Sequence, residues 1–194
     1  MEGKHGLLVG YTDDAHPDKA TAGLGKTYET LKIGVKPYPS CRYTHAALDA
    51  LIAMRREHNL TPDQIKRVEI GLHRNGITLT GDAATKRHPT SIVGGQFSMF
   101  FTGALALDQG RFGWDDYERH GDAAVNALAD KLDAVQDDRL EIGRTHPFGA
   151  RVSITTDDGV HERLYADPSG EPESFPGARA MQQKFLTLAR PVLN

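Results

Sequence analysis

Two alternating runs near the C-terminal end constrain this chain most. Arg151 to Thr156 and Val160 to Tyr165 each alternate in polarity, and Asp157-Asp158-Gly159 joins them. An Asp-Gly pair takes positive φ readily, so two such runs close into a β-hairpin. Val68, Ile70 and Leu72 alternate with Arg67, Glu69 and Gly71, which gives a third half-buried strand. A sheet with one apolar face needs cover, and the rest of the chain must supply it.

Helices are the available cover. Leu48, Leu51, Ile52 and Met54 recur at helical spacing among alanines and predict a helix over about 44–58. Residues 96–108 are apolar almost all round, which predicts a helix buried on most sides and stopped by Gly110. Val125, Leu128, Ala129 and Leu132 predict an amphipathic helix over about 122–132. Met181, Phe185 and Leu188 do the same for a closing helix over about 177–188. Thr61-Pro62-Asp63-Gln64 has the residues of a capped turn, with Thr61 as cap and Gln64 as its reciprocal partner. Tyr28, Thr30, Ile33 and Val35 predict an extended segment. Helices and antiparallel strands mix without βαβ alternation, so the expected class is α+β, a small antiparallel sheet packed against helices. The expected divisions are an irregular lead-in over 1–27, the α+β body over 28–176 and the closing helix over 177–194.

Bulk composition narrows the function. A net charge of -3 gives no electrostatic case for nucleic acid or a membrane surface. No apolar run approaches a membrane span, and Cys41 stands alone, which excludes an internal disulfide and fits a reducing, cytoplasmic setting. Gly25-Lys26-Thr27 ends like a phosphate-binding loop, but Ala20 stands where that motif needs glycine and no apolar strand precedes it. The 9 histidines include no i, i+4 pair, so no metal site is expected. Cys41 reads more simply as a small core residue than as a thiol nucleophile.

One segment gathers chemistry. Lys36-Pro37-Tyr38-Pro39-Ser40-Cys41-Arg42-Tyr43-Thr44-His45 places three basic side chains and several hydroxyls beside a helix start. Its two prolines stiffen the backbone, and the helix end adds free N–H groups and a partial positive charge. Two readings stand level. One is a binding site for a small di- or tricarboxylate; the other is a turn and helix cap with solvated charges.

That segment, followed by Ala46-Ala47-Leu48-Asp49-Ala50, resembles the MmgE/PrpD family, which includes 2-methylcitrate dehydratase, cis-aconitate decarboxylase and iminodisuccinate epimerase. Glu2-Gly3-Lys4-His5-Gly6, Leu60 to Ile65 with Val68-Glu69-Ile70, Gln96-Phe97-Ser98 with Ala104 to Ala106, Arg151 to Ile154 and Gln183-Lys184-Phe185 follow in the family's order. The resemblance implies the smaller lid part of a lyase whose large helical domain lies outside this chain. It implies no metal or organic cofactor, a small polycarboxylate substrate, and the helical half and a second copy of the chain as partners. Carried over by position, Lys36 and His45 are the catalytic candidates, and Arg42, Cys41, Tyr43 and Ser98 the substrate-binding ones. Cys41 stands where the decarboxylase branch has histidine, which favours dehydration. Phe101 stands where many members have tyrosine, which removes a hydroxyl donor. Alternatives of another class are a non-catalytic interaction module and a plain carboxylate binder, the latter gaining heat stability from citrate without turnover.

Overall fold

A computed structural model of the chain describes residues 3, 5–141 and 147–193. Glu2 and Lys4 of the lead-in match lie outside them. The chain divides into two compact units, Met1–Ile33 and Gly34–Asn194.

The first unit consists of short turns at Leu7–Tyr11, Pro17–Thr21 and Glu29–Lys32, none of which buries a side chain. The predicted extended segment therefore begins as a 3-10 turn, closed by Leu31 N–H to the Tyr28 carbonyl at 3.1 Å. Tyr28 and Ile33 are exposed, so the pattern has no sheet face to meet there.

The second unit has two layers. Strands β1 (Arg67–Leu72), β2 (Leu132–Gln136), β3 (Ala150–Thr156) and β4 (Gly159–Tyr165) form one sheet in the order β2-β1-β3-β4. The hairpin forms as its sequence requires, with Thr156 opposite Gly159 at a φ of 137°. The class is α+β, but the sheet is mixed rather than antiparallel, because β2 runs parallel to β1 with Val68 opposite Leu132. A parallel partner needs a long crossover, and the helices between Leu72 and Leu132 provide it.

Helix α1 (His45–Glu57) lies on the sheet beside β3 and β4 and packs against α2 (Met99–Gln109). Ala46, Ala47, Leu48, Ala50 and Leu51 are wholly buried beneath it, facing Val68, Ile70, Val152 and Ile154 of the sheet. Each Leu, Ile or Val so buried contributes about 1.5–3 kcal/mol. Helix α2 is buried all round, as its composition requires, and ends at Gly110, whose φ of 69° takes the left-handed conformation. It starts later than predicted, because residues 92–96 form a separate turn and Ser98 caps the new start. Helix α3 (Ala123–Ala129) stops short of the predicted 132, where β2 begins. Gln64 does reach back to the Thr61 N–H at 2.8 Å. The sheet's other face is charged: Arg151 meets Glu69, Asp137 and Glu162 at 2.6, 2.9 and 3.3 Å. Helix α4 (Ala178–Ala189) closes the chain and buries no residue. No helix among the described residues is long and apolar enough to cross a membrane.

Candidate functional site

The approach to α1 is held by interactions its own sequence could not announce. Val35 N–H donates to the Gly170 carbonyl at 2.7 Å, and Gly170 has a φ of 88°. Any Cβ at Gly170 would run into the Val35 carbonyl oxygen, so this close approach requires glycine. Pro37 and Pro39 then carry the chain past Tyr38, whose hydroxyl donates to Asp49 Oδ1 at 2.7 Å. Burial, with the Asp49 charge beside it, holds the Tyr38 phenol well above its usual range. The second carboxylate oxygen of Asp49 accepts the Ser169 N–H at 2.7 Å. Tyr117 hydroxyl donates to the Pro39 carbonyl at 2.8 Å.

The three basic residues of this segment have different fates. Arg42 is engaged: Nε and Nη2 donate to Glu171 Oε1 at 2.9 and 2.5 Å, and Nη1 donates to the Ser169 carbonyl at 3.2 Å. Glu171 is itself buried, so this ion pair is nearly dry. His45 has no exposed surface, and its two ring nitrogens are occupied. Nε2 lies 3.3 Å from the Ser40 carbonyl, which can only accept, so Nε2 carries the hydrogen. Nδ1 is then left to accept from Arg42 Nη1 at 3.2 Å. Burial, reinforced by the Arg42 charge, pushes the imidazole down to about 3, so it is neutral at physiological pH. Lys36 alone reaches open space. Its Nζ donates to the Ser40 carbonyl at 3.0 Å and lines a groove of about 400 Å³.

Tyr38, Phe112 and Trp114 line the same groove, with Lys184 and Leu188 of α4 completing it. Tyr38 and Phe112 stack at 6.3 Å, and Phe112 meets Tyr117 edge-on at 5.6 Å. The loop carrying Phe112 and Trp114 is clasped by buried Asp116, which accepts from Gly113 N–H at 2.7 Å, Gln109 Nε2 at 2.8 Å and Arg111 Nη1 at 3.1 Å. Carbon skeletons find an aromatic wall here and carboxylates an ammonium.

The other sequence candidates do not gather at this groove. Cys41 donates its N–H to the Gln96 carbonyl at 2.8 Å and its carbonyl accepts Thr44 Oγ1 at 2.8 Å. Tyr43 stacks against His73 at 6.2 Å and meets Phe148 at 5.0 Å. Ser98 is buried as the cap of α2, accepting from Phe101 N–H at 2.9 Å and donating to the Lys86 carbonyl at 2.5 Å. Phe101 is buried and stacks on His120 at 4.5 Å. Among the described residues no three of His, Cys, Asp or Glu converge as metal ligands. Sequence reasoning missed Glu171, Asp49, Phe112, Trp114 and Lys184. Glu171 lies 129 positions from Arg42, and no local pattern links the two.

A cis-aconitate decarboxylase-like protein of Aspergillus oryzae is 30% identical over 169 residues, which is 83% of this chain and 35% of that protein. The chain thus spans about a third of the length of this curated relative. The family model for the MmgE/PrpD C-terminal domain matches residues 38–194. With a matching family model over most of its length, and a relative at 30% identity beside it, the chain belongs to the MmgE/PrpD family through its C-terminal domain.

Proposed function

We propose that this chain is the substrate-covering lid of a cofactor-independent lyase or isomerase that acts on a small di- or tricarboxylate, with dehydration as the reaction. The observation that carries the reading is the Lys36 ammonium, which has no acid beside it among the described residues. It stands on a segment stiffened by two prolines and belongs to the lining of an aromatic groove, while Arg42 and His45 are otherwise engaged. Lys36 holds a substrate carboxylate and stabilises the enolate-like charge that forms when a base on the helical half takes the α-proton. Arg42 and His45 act as positioning residues: Glu171 orients Arg42, Arg42 fixes the His45 tautomer, and both His45 and Lys36 bond the Ser40 carbonyl. The relative from Aspergillus oryzae bears a decarboxylase-like name. Cys41 stands where that branch is expected to carry histidine, which favours water loss over carbon dioxide loss.

The test has two arms. Titrating the chain with citrate should give saturable amide shifts over residues 36–40, and Lys36→Ala should remove them. In an enzyme assembled with a helical half of the family, Lys36→Ala should cut turnover about 10²–10³-fold. Normal turnover in that variant would sink the role of Lys36.

A second reading is a non-catalytic interaction module. It draws support from the exposed Phe185, Leu188, Val192 and Leu193 at the C-terminal end. It predicts a size in solution that rises with concentration; a monomer at every concentration removes it.

A further inference from the structure

The groove beside Lys36 holds a second ammonium. Lys184 of α4 lines the same cavity, and its Nζ donates to the Lys36 carbonyl at 2.6 Å. Lys36 Nζ likewise bonds a backbone carbonyl, that of Ser40 at 3.0 Å. Elsewhere Lys32 and Lys66 stand against the carboxylates of Glu29 and Asp157. Among the described residues neither Lys36 nor Lys184 has such a partner. The buried carboxylate of Glu171 is committed to Arg42. Both lysines contribute to holding His45 in its neutral form, so their fields reach the same point.

Two unpaired ammonium groups on one concave, partly apolar surface repel each other until an anion lies between them. A carbonyl oxygen satisfies one of an ammonium's three N–H donors and none of its charge. Both side chains belong to residues that line the groove. Its polar neighbours on α4 are Gln183 and Thr187, and its other wall is Tyr38, Phe112 and Trp114, so among the described residues no acid lines it. The volume of about 400 Å³ falls within the range of small-molecule sites.

We propose that Lys184 is a second anion-binding residue, and that Lys36 and Lys184 together select dianions over monoanions. One carboxylate lies on each ammonium, and the skeleton between them packs on Tyr38 and Trp114. The proposal rests on the reading of Lys36 as a carboxylate holder and adds to it the number of charges the ligand must carry.

The experiment is calorimetric titration of the full chain with succinate and with butyrate, which differ by one carboxylate. The wild type should bind succinate about tenfold more tightly, the worth of one charge-assisted contact. Lys184→Gln keeps a donor for the Lys36 carbonyl and removes the charge. It should bring succinate down to the butyrate level while leaving butyrate within about twofold, and Lys184→Arg should restore the preference. If Lys184→Gln retains the succinate preference, Lys184 has no such role and the Lys36 reading survives. If Lys184→Gln weakens both ligands equally, Lys184 acts by holding α4 in place, and the proposal falls. If the wild type binds neither ligand nor citrate, this proposal and the Lys36 reading fall together.

Discussion

The groove has two walls of opposite character. On the α1 side, Arg42, Asp49 and Cys41 are each pinned by a partner distant in sequence, namely Glu171, Ser169 and Gln96. On the α4 side no residue is buried, and Lys184 reaches the Lys36 carbonyl alone across the gap. Preorganised charge belongs on the first wall, because a cation held before the ligand arrives needs no ordering when it binds. The second wall, with no buried residue, adds little to the core. Stability and function should therefore separate between the two.

Glu171→Ala should break that separation most sharply. Removing one partner of a buried pair leaves the Arg42 charge uncompensated, at a cost of about 3–5 kcal/mol in a urea melt. A loss below about 1 kcal/mol would mean that the first wall is no firmer than a surface.

Acid tests the same wall without mutation. His45 is held at about 3 in the folded protein and returns to 6.5 when the chain unfolds. The unfolded state then binds a proton that the native state refuses, so stability is full above pH 6.5 and is lost as pH falls toward 3. The loss should amount to a few kcal/mol, and His45→Gln should flatten the slope. Carboxylates that the fold holds low, Asp137 beside Arg139 and Arg151, contribute only below about pH 4. A stability profile level between pH 6.5 and 4 would show that water reaches His45.

Ser98→Ala should cost about 1 kcal/mol through the lost cap on α2, with citrate binding unchanged. Weaker binding in that variant would return Ser98 to the site. Phe185→Ser on the open wall should move the melting free energy by less than about 0.5 kcal/mol. Any association through α4 should nonetheless be lost, which sedimentation at several concentrations would read.

The same contrast explains what the sequence disclosed. The hairpin and α1 were legible from their periodicity and α2 from its nearly unbroken apolar run, and Asp158-Gly159 and Gly110 punctuate the hairpin and α2. Strand β2 was hidden because Leu132, wholly buried, fits the inner stripe of a helix as well as the first position of a strand. Tyr28 to Val35 alternates, yet a strand needs a neighbour as well as a period. At the site, Lys36 and the prolines were visible as a cluster. That Arg42 is neutralised depends on Glu171, a residue brought in by long-range folding alone. Ser98 carried a readable sign, a serine three residues before the Phe101 N–H it caps.

The parallel pairing of β1 with β2 has a consequence for how such a site can change. The aromatic loop lies inside the crossover that joins those strands, between the left-handed Gly110 and the cap at Asp122. The middle of that crossover is anchored as well, since Phe112, Asp116 and Tyr117 are buried. A residue added or removed between 111 and 121 would have to break the Asp116 clasp or the Tyr117 bond to Pro39. Trp114 is exposed, and it is there that a lineage, or an engineer, could widen or narrow the groove by exchanging one side chain while the scaffold stays still.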